Sequence, residues 1–321
     1  WSILLTFLFS VVFDLFMLPA LTFIFALSPL LKITQVNALF ELLEELIRWT
    51  AAISSRPVVF GQPSIWMMLG LLIILSLLYD FRRQKKALIL LSLALALLFF
   101  LTKHPLQNEI TVIDIGQGDS IFLRDWRGKS VLIDVGGRVE IVKKEAWQER
   151  VSSTNAEKTL IPYLKSRGVS HLDVLVLTHT DTDHMGDMLE VAKHFSIKEI
   201  YVSKGSLTQS DFVEKLERMQ TRVHAVEVGD SLPIFDGSLQ VLYPEDTGDG
   251  SNDDSVVLYG KFFGTSFLFT GDLEENGEAT LMRRFPQLKV DVLKAGHHGS
   301  KGSSSPEFLH QLQPQIALIS A

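Results

Sequence analysis

The sequence predicts apolar membrane helices followed by an α/β sandwich, and three observations predict it. Residues 1–107 carry 8 Lys/Arg and 5 Asp/Glu, whereas residues 108–321 carry 22 and 32, so a mildly basic apolar part precedes an acidic part of about -10. After Pro105 the hydrophobic pattern changes from long runs to short β-type runs with helical segments between them. Several of those short runs end in His or Asp, as in sandwiches whose chemistry sits at strand ends. At 321 residues the chain has room for both parts, with the boundary set at 107/108.

The apolar part has three runs. Residues 3–31 are almost free of charge, with Asp14 the one charged residue and Pro19 within the run, and are long enough to span a bilayer with tilt. A carboxylate such as Asp14 is costly there unless it faces protein, water or the headgroups. Residues 37–53 alternate Leu39, Phe40, Leu42, Leu43, Leu46 and Ile47 with Glu41, Glu44, Glu45 and Arg48, which predicts an amphipathic helix at an interface. Residues 65–79 and 87–101 are two further apolar runs. Between them lies Arg82-Arg83-Gln84-Lys85-Lys86, the densest cationic cluster of the chain. Such a cluster favours the cytoplasmic side, so the following helix runs outward and everything after Lys103 is expected on the outer face.

In the second part, strands are expected over 109–115, 120–123, 130–135, 172–177, 199–202, 223–226, 238–243, 255–259, 266–270, 290–293 and 316–319. Helices are expected over 159–167 and 188–195. Turn signals such as Gly116-Gln117-Gly118-Asp119 and Gly136-Gly137 separate them. Trp1 lies inside an apolar run and Ala321 directly follows a strand-like one, so both ends read as cut from a longer protein. No basic segment precedes the first run, which argues against a signal peptide.

There is no cysteine. That excludes disulfides, thiol nucleophiles and Cys-based metal sites, so a metal centre here must use His, Asp, Glu or Asn. The strongest signal is Thr178-His179-Thr180-Asp181-Thr182-Asp183-His184-Met185-Gly186, four potential ligands in six residues between a strand and a helix. Asp272 ends the run Phe267-Leu268-Phe269-Thr270-Gly271, and His297-His298 follow Val290-Asp291-Val292-Leu293-Lys294-Ala295-Gly296. Each of these two alone reads as a helix cap or a polar turn. Together with the first loop they supply the imidazoles and carboxylates that a two-metal hydrolase requires.

These motifs resemble the metallo-β-lactamase superfamily. With Ile113-Asp114-Ile115-Gly116-Gln117-Gly118-Asp119-Ser120, Leu132-Ile133-Asp134-Val135-Gly136-Gly137 and Gly296-His297-His298-Gly299-Ser300, the chain resembles the ComEC family of DNA-internalisation competence proteins. The likeness implies an αββα sandwich over 108–321, truncated at its C-terminus, behind the last helices of a polytopic membrane region over 1–107. It implies two divalent ions, with His179 and Asp181 on one, Asp183, His184 and His297 on the other, and Asp272 bridging. Asp183 and His298 stand as catalytic candidates, His298 as a phosphate contact or proton donor, and the choice of ligand between His297 and His298 is open. Asp134 would orient the ligand loop, and Asn252, Asp253, Lys294 and Ser300 are possible ligands or substrate contacts.

The chain departs from the zinc hydrolases of that superfamily at two places. Asp181 stands where many have His, and Ser251-Asn252-Asp253-Asp254-Ser255 lacks a further expected His. Oxygen-rich ligation favours Mn²⁺ or Mg²⁺ over Zn²⁺. The implied function is DNA uptake in natural transformation. A bacterial multi-pass membrane protein would carry a metal-dependent phosphodiesterase or nuclease on the outer face, degrading the strand that is not transported. Its partners would be a single DNA strand, the lipid bilayer and other DNA-uptake proteins. Two further readings are a non-catalytic component that guides DNA, and a membrane-tethered hydrolase of a non-nucleic-acid substrate. At about -10 the domain will not hold DNA by bulk counterion release, so Lys143-Lys144, Arg283-Arg284 and Lys294 are the candidate phosphate contacts.

Overall fold

The computed structural model describes residues 10, 11, 13–27, 41, 44, 45, 48, 49, 59, 61–104, 107–116, 118–138, 153–232, 239–262 and 264–320. The chain forms two compact units, Trp1–Val59 and Phe60–Ala321. In the first, a π-helical turn over Phe13–Met17 leads into helix α1, Leu18–Leu27. Most of the amphipathic segment expected over 37–53 lies outside the described residues. Within it Arg48 pairs with Glu44 one turn earlier, at 2.5 Å.

The second unit begins with a helical hairpin, α2 (Ile65–Asp80) and α3 (Lys85–Lys103). Ser64 caps α2 by accepting from the Met67 amide at 3.3 Å, and Phe81–Arg83 form the turn. Neither helix has a buried residue, although both are almost wholly apolar. Among the described residues α3 alone is long and apolar enough to cross a membrane, and α2 is a shorter apolar helix.

The remainder is a sandwich of two six-stranded sheets with helices outside each. The first sheet holds β1 (Glu109–Val112), β2 (Ile121–Arg124), β3 (Ser130–Ile133), β4 (His171–Leu177), β5 (Ser196–Ser203) and β6 (Arg222–Val226), in sequence order. The first three are antiparallel, and β3 to β6 are parallel. Parallel neighbours need crossover helices. These are α4 (Ile161–Ser166), α5 (Thr182–Met185), α6 (Met188–His194) and α7 (Ser210–Met219). The second sheet holds β7 (Ser231–Leu232), β8 (Leu239–Tyr243), β9 (Val257–Phe262), β10 (Thr265–Phe269), β11 (Val292–Lys294) and β12 (Ile316–Leu318). Here β7 to β10 are antiparallel and β10 to β12 parallel, with α8 (Glu275–Arg284) and α9 (Pro306–Leu312) as crossovers.

Period-two alternation builds the layers. Val131, Ile133, Val174 and Val176 face Val241, Leu258 and Phe269 between the sheets, while Leu132, Leu175 and Leu177 face the first helical layer. Val257, Leu268 and Leu293 face α8 and α9 with Leu281, Phe308 and Leu312. The observed β3 stops at Ile133 because Asp134 adopts a left-handed backbone, φ 58°. Helices α7, α8 and α9 were not read from the sequence. Their buried residues are few, Phe212 and Leu216 on α7 and Phe308 and Leu312 on α9 for example, and the exposed faces of α7 and α8 are highly charged.

Phe269 is fully buried between the sheets and stacks on Phe267, ring centroids 6.0 Å apart. Phe269→Ala is expected to cost about 3–5 kcal/mol of unfolding free energy, read as a lowered denaturant midpoint at an unchanged slope.

Candidate metal centre

Four strands of the two sheets end at one place. The loop after β4 is held by Asp134, which follows β3. The Asp134 carboxylate accepts from the Thr178 amide (2.8 Å) and hydroxyl (2.7 Å), and from His184 Nδ1 (2.8 Å). The ionised carboxylate only accepts, so His184 donates from Nδ1 and aims Nε2 at the cluster. Burial would lower the His184 pKa, but Asp134 and Asp272 hold it well above the usual imidazole range without metal, and a bound ion would take the place of the Nε2 proton. The backbone adds Val135 N–H to His184 O and Asp187 N–H to Gly136 O, at 2.9 and 3.0 Å.

Two glycines let neighbouring loops close over this one. A Cβ on Gly118 would lie 1.6 Å from the Asp183 carbonyl oxygen, and one on Gly137 would lie 2.1 Å from that of Thr182. The second sheet supplies Asp272, whose amide donates to Ser255 Oγ at 3.1 Å. It also supplies the turn after β11, where His297 and His298 both take left-handed φ values of 42° and 53°. Such φ values are costly for residues with a Cβ, and here they swing the two rings apart.

The ligand atoms converge. His179, His184 and Asp272 offer donors within 4.8 Å of one another, as do Asp183, His184 and His298, and Asp119, Asp272 and His298. His184 Nε2 lies 3.1 Å from Asp272 Oδ2. His298 Nε2 lies 3.3 Å from Asp183 Oδ2 and 3.4 Å from Asp272 Oδ2. Nε2 of His179, His184 and His298, and Oδ1 of Asp119, are buried without a hydrogen-bond partner. Orphaned buried polar atoms are expensive, and divalent cations held in these overlapping clusters would satisfy them. The donor set fits a metal centre, with no sulfur and at least as many carboxylates as imidazoles.

Electrostatics point the same way. Burial pushes the His179 imidazole down to about 3, with the His184 charge acting in the same direction, so its ring is a neutral donor. Burial alone would raise the Asp272 carboxyl, but His184 and the Lys294 ammonium outweigh it and hold Asp272 far below the usual carboxylate range. The Asp183 carboxyl is likewise held down, chiefly by the His298 imidazole 3.3 Å away.

The remaining expected residues fall at graded distances from this cluster. Asp181 stands at the mouth with its side chain 55% exposed, 3.8 Å from His179 Nε2. His297 turns away, its Nδ1 3.1 Å from Glu274 Oε1 and 3.4 Å from Asn252 Nδ2. Asn252 also donates to Glu274. Asp253 is occupied at the start of α8, where Oδ1 accepts from the Glu274 and Gly277 amides at 3.0 and 3.3 Å. Ser300 lies in the turn, its amide bonded to His297 O at 2.8 Å.

Lys294, expected at the substrate, is only 1% exposed. Its ammonium contacts Asp119, the Gly271 carbonyl (2.9 Å) and Asp272 Oδ1 (3.4 Å). It therefore sits behind the ligands and orients Asp272 and Asp119. Lys143 and Lys144 lie outside the described residues, and Arg284 pairs with Glu245 at 3.0 Å. Asp119 was missed as a site residue, although it belongs to a motif read from the sequence. Its 2% exposure is the signal, and that is visible only in the fold.

Residues 113–321 match the metallo-beta-lactamase superfamily. ComE operon protein 3 of Bacillus subtilis is 39% identical over 260 residues, which are 78% of this chain and 33% of that protein. The chain belongs to the ComEC family, within the metallo-β-lactamase superfamily. Recombination protein 2 of Haemophilus influenzae is 29% identical over 66% of the chain and 24% of its own length. Competence protein ComA of Neisseria gonorrhoeae is 31% identical over 67% and 27%. The chain thus spans about a quarter to a third of the length of these relatives. Among solved structures, the metallo-beta-lactamase fold protein YhfI from Bacillus subtilis aligns at 11% identity and a TM-score of 0.40, over 66% of this chain and 89% of that one.

Asp134→Asn is expected to weaken metal binding about 10–100-fold by mispositioning His184, read by titration of the metal-free protein with Mn²⁺. Gly118→Ala is expected to displace the Asp183 backbone and lower the melting temperature of the metal-loaded protein more than that of the metal-free protein.

Proposed function

We propose that residues 108–321 form a metal-dependent phosphodiesterase that cuts DNA, attached through residues 1–107 to the end of a polytopic membrane region, and that the protein serves DNA uptake in natural transformation. The observation that carries this reading is the set of buried, partnerless imidazole nitrogens of His179, His184 and His298 gathered around Asp272. The likeness to competence protein ComA of Neisseria gonorrhoeae and to ComE operon protein 3 of Bacillus subtilis supports the competence role.

In this reading His179 and Asp181 would hold one ion and Asp183, His184 and His298 the second, with Asp272 within reach of both sets. The ions, when bound, supply Lewis acidity at a phosphate and an activated water. The chain's own residues do the rest. Asp134 fixes the His184 tautomer, Lys294 holds Asp272, and His298, pinned by the Ser320 carbonyl at 3.1 Å, faces the carboxylates. Asp181 at the open mouth is the ligand nearest an incoming substrate. The carboxylate-rich donor set favours Mn²⁺ or Mg²⁺ over Zn²⁺.

The activity test uses the chain in detergent with single-stranded and duplex DNA. Mn²⁺ or Mg²⁺ should support cleavage. Asp183→Ala and Asp272→Ala should each lower it by more than the roughly 10–100-fold that loss of a supporting residue costs. Inactivity on DNA with both ions, together with Zn²⁺-supported hydrolysis of another ester or amide, would refute the nuclease reading. Binding of DNA without cleavage would favour a guiding role.

Orientation is tested separately, since the chain has no native cysteine. A single thiol at Gln84→Cys should be protected from a membrane-impermeant reagent in intact cells, and one at Lys301→Cys should react. The reverse pattern would place the sandwich on the cytoplasmic side.

A further inference from the structure

A second polar site lies at the opposite edge of the first sheet from the metal centre. A cavity of about 250 Å³ opens where β3 and β4 begin, and Lys103, His104, Arg127, Lys129, His171 and Lys198 contribute to its wall. Along β4 this is about 23 Å from Thr178, at 3.3 Å per residue. Asp173 is the one carboxylate in the wall among the described residues. It is already engaged by Lys198 at 2.5 Å, His171 at 3.6 Å and the Ser130 amide at 2.9 Å. Arg124, also in the wall, is tied to Glu109 at 3.3 Å and the Arg167 carbonyl at 2.6 Å. The cavity is therefore cationic, although most of its wall belongs to a part of the chain whose total charge is about -10.

Its position is as telling as its charge. Lys103 and His104 end α3, whose 19 residues rise about 28 Å, close to the roughly 30 Å of a bilayer's hydrocarbon core. The β2–β3 turn reaches the same level, because the Trp126 amide donates to Asn108 Oδ1 at 2.7 Å. The start of α2 is there too, since a Cβ on Gly61 would lie 1.9 Å from the Thr102 carbonyl oxygen. Two tryptophans stand out at this level, Trp126 at 60% and Trp66 at 78% exposure, and the Arg127 guanidinium lies 5.1 Å from the Trp126 ring centroid. Exposed tryptophan beside Lys and Arg at the end of an apolar helix is the composition of a membrane interface.

We propose that this cavity binds the phosphate of an anionic phospholipid headgroup at the foot of α3, seating the sandwich on the bilayer with its metal centre on the far edge. The inference rests on the reading of α3 as a membrane helix. The phosphate sits among Lys103, Arg127 and Lys129, and Trp126 and Trp66 lie in the headgroup layer on either side.

The test titrates the full chain in uncharged detergent by native mass spectrometry. The probes are dioctanoyl-phosphatidylglycerol, dioctanoyl-phosphatidylcholine, inorganic phosphate and a thymidine oligonucleotide. Phosphatidylglycerol should bind one per chain and at least about tenfold more tightly than phosphatidylcholine. Arg127→Gln with Lys129→Gln should remove about tenfold or more of that affinity while leaving the melting temperature in place, since both side chains are exposed. Equal binding of the two lipids, or a preference that survives the double substitution, overturns the proposal. Inorganic phosphate that displaces the lipid at equal concentration makes this a site for the free ion and overturns it too. So does oligonucleotide binding that disappears in the double variant while lipid binding stays. Release of the chain from membranes by alkaline carbonate, with the lipid preference intact, would overturn only the membrane reading of α3.

Discussion

The buried carboxylate of Asp134 is the constraint on which the metal centre depends. It sits just past β3 in a left-handed backbone conformation and accepts three hydrogen bonds, two from Thr178 and one from His184. Burial favours the neutral acid, and the His184 charge and hydrogen bond oppose that. The carboxylate thus joins the ends of two adjacent parallel strands and aims one imidazole. Parallel pairing puts those strand ends side by side, and the same arrangement recurs where β10 and β11 bring in Asp272 and the His297-His298 turn. Each sheet is antiparallel on one side and parallel on the other, and the metal centre grows from the two parallel halves.

Much of this architecture was legible in the residues. The run over 172–177 is observed as His171–Leu177, and the His179–His184 loop stands where a strand gives way to a helix. A rigid strand followed by closely spaced His and Asp is a local signal that needs no partner. What depends on distant segments was not legible. Lys294 and Asp119 are 175 positions apart, and only the sandwich shows that they form a buried pair rather than a substrate contact and a turn residue. The sequence left the choice between His297 and His298 open, because it turns on two positive φ angles that put one ring among the carboxylates and the other against Glu274.

The missing histidine of the Ser251–Ser255 stretch has a physical counterpart. Its residues have other work. Ser255 Oγ receives the Asp272 amide and lies 3.4 Å from His179 Nδ1, Asp253 holds the start of α8, and Asp254 binds Ser203 and the Gly250 amide. A serine in contact with both His179 and Asp272 would steady two candidate ligands without being one. Asn252 keeps a buried carbonyl oxygen without a partner, directly beside the His297–Glu274 pair.

The two sheets face each other across an apolar seam, and their hydrogen-bond ladders never cross it. At the edge where the donors gather, His179, Asp183 and His184 belong to one sheet's loops and Asp272 and His298 to the other's. An ion held by both sets would rivet the seam at its open end, beside the Val256–Thr178 and Thr180–Gly250 backbone hydrogen bonds that already join the two halves there. Cation loading would then add to the mechanical integrity of the sandwich, and starvation for metal would loosen this end of the seam before it altered any single strand.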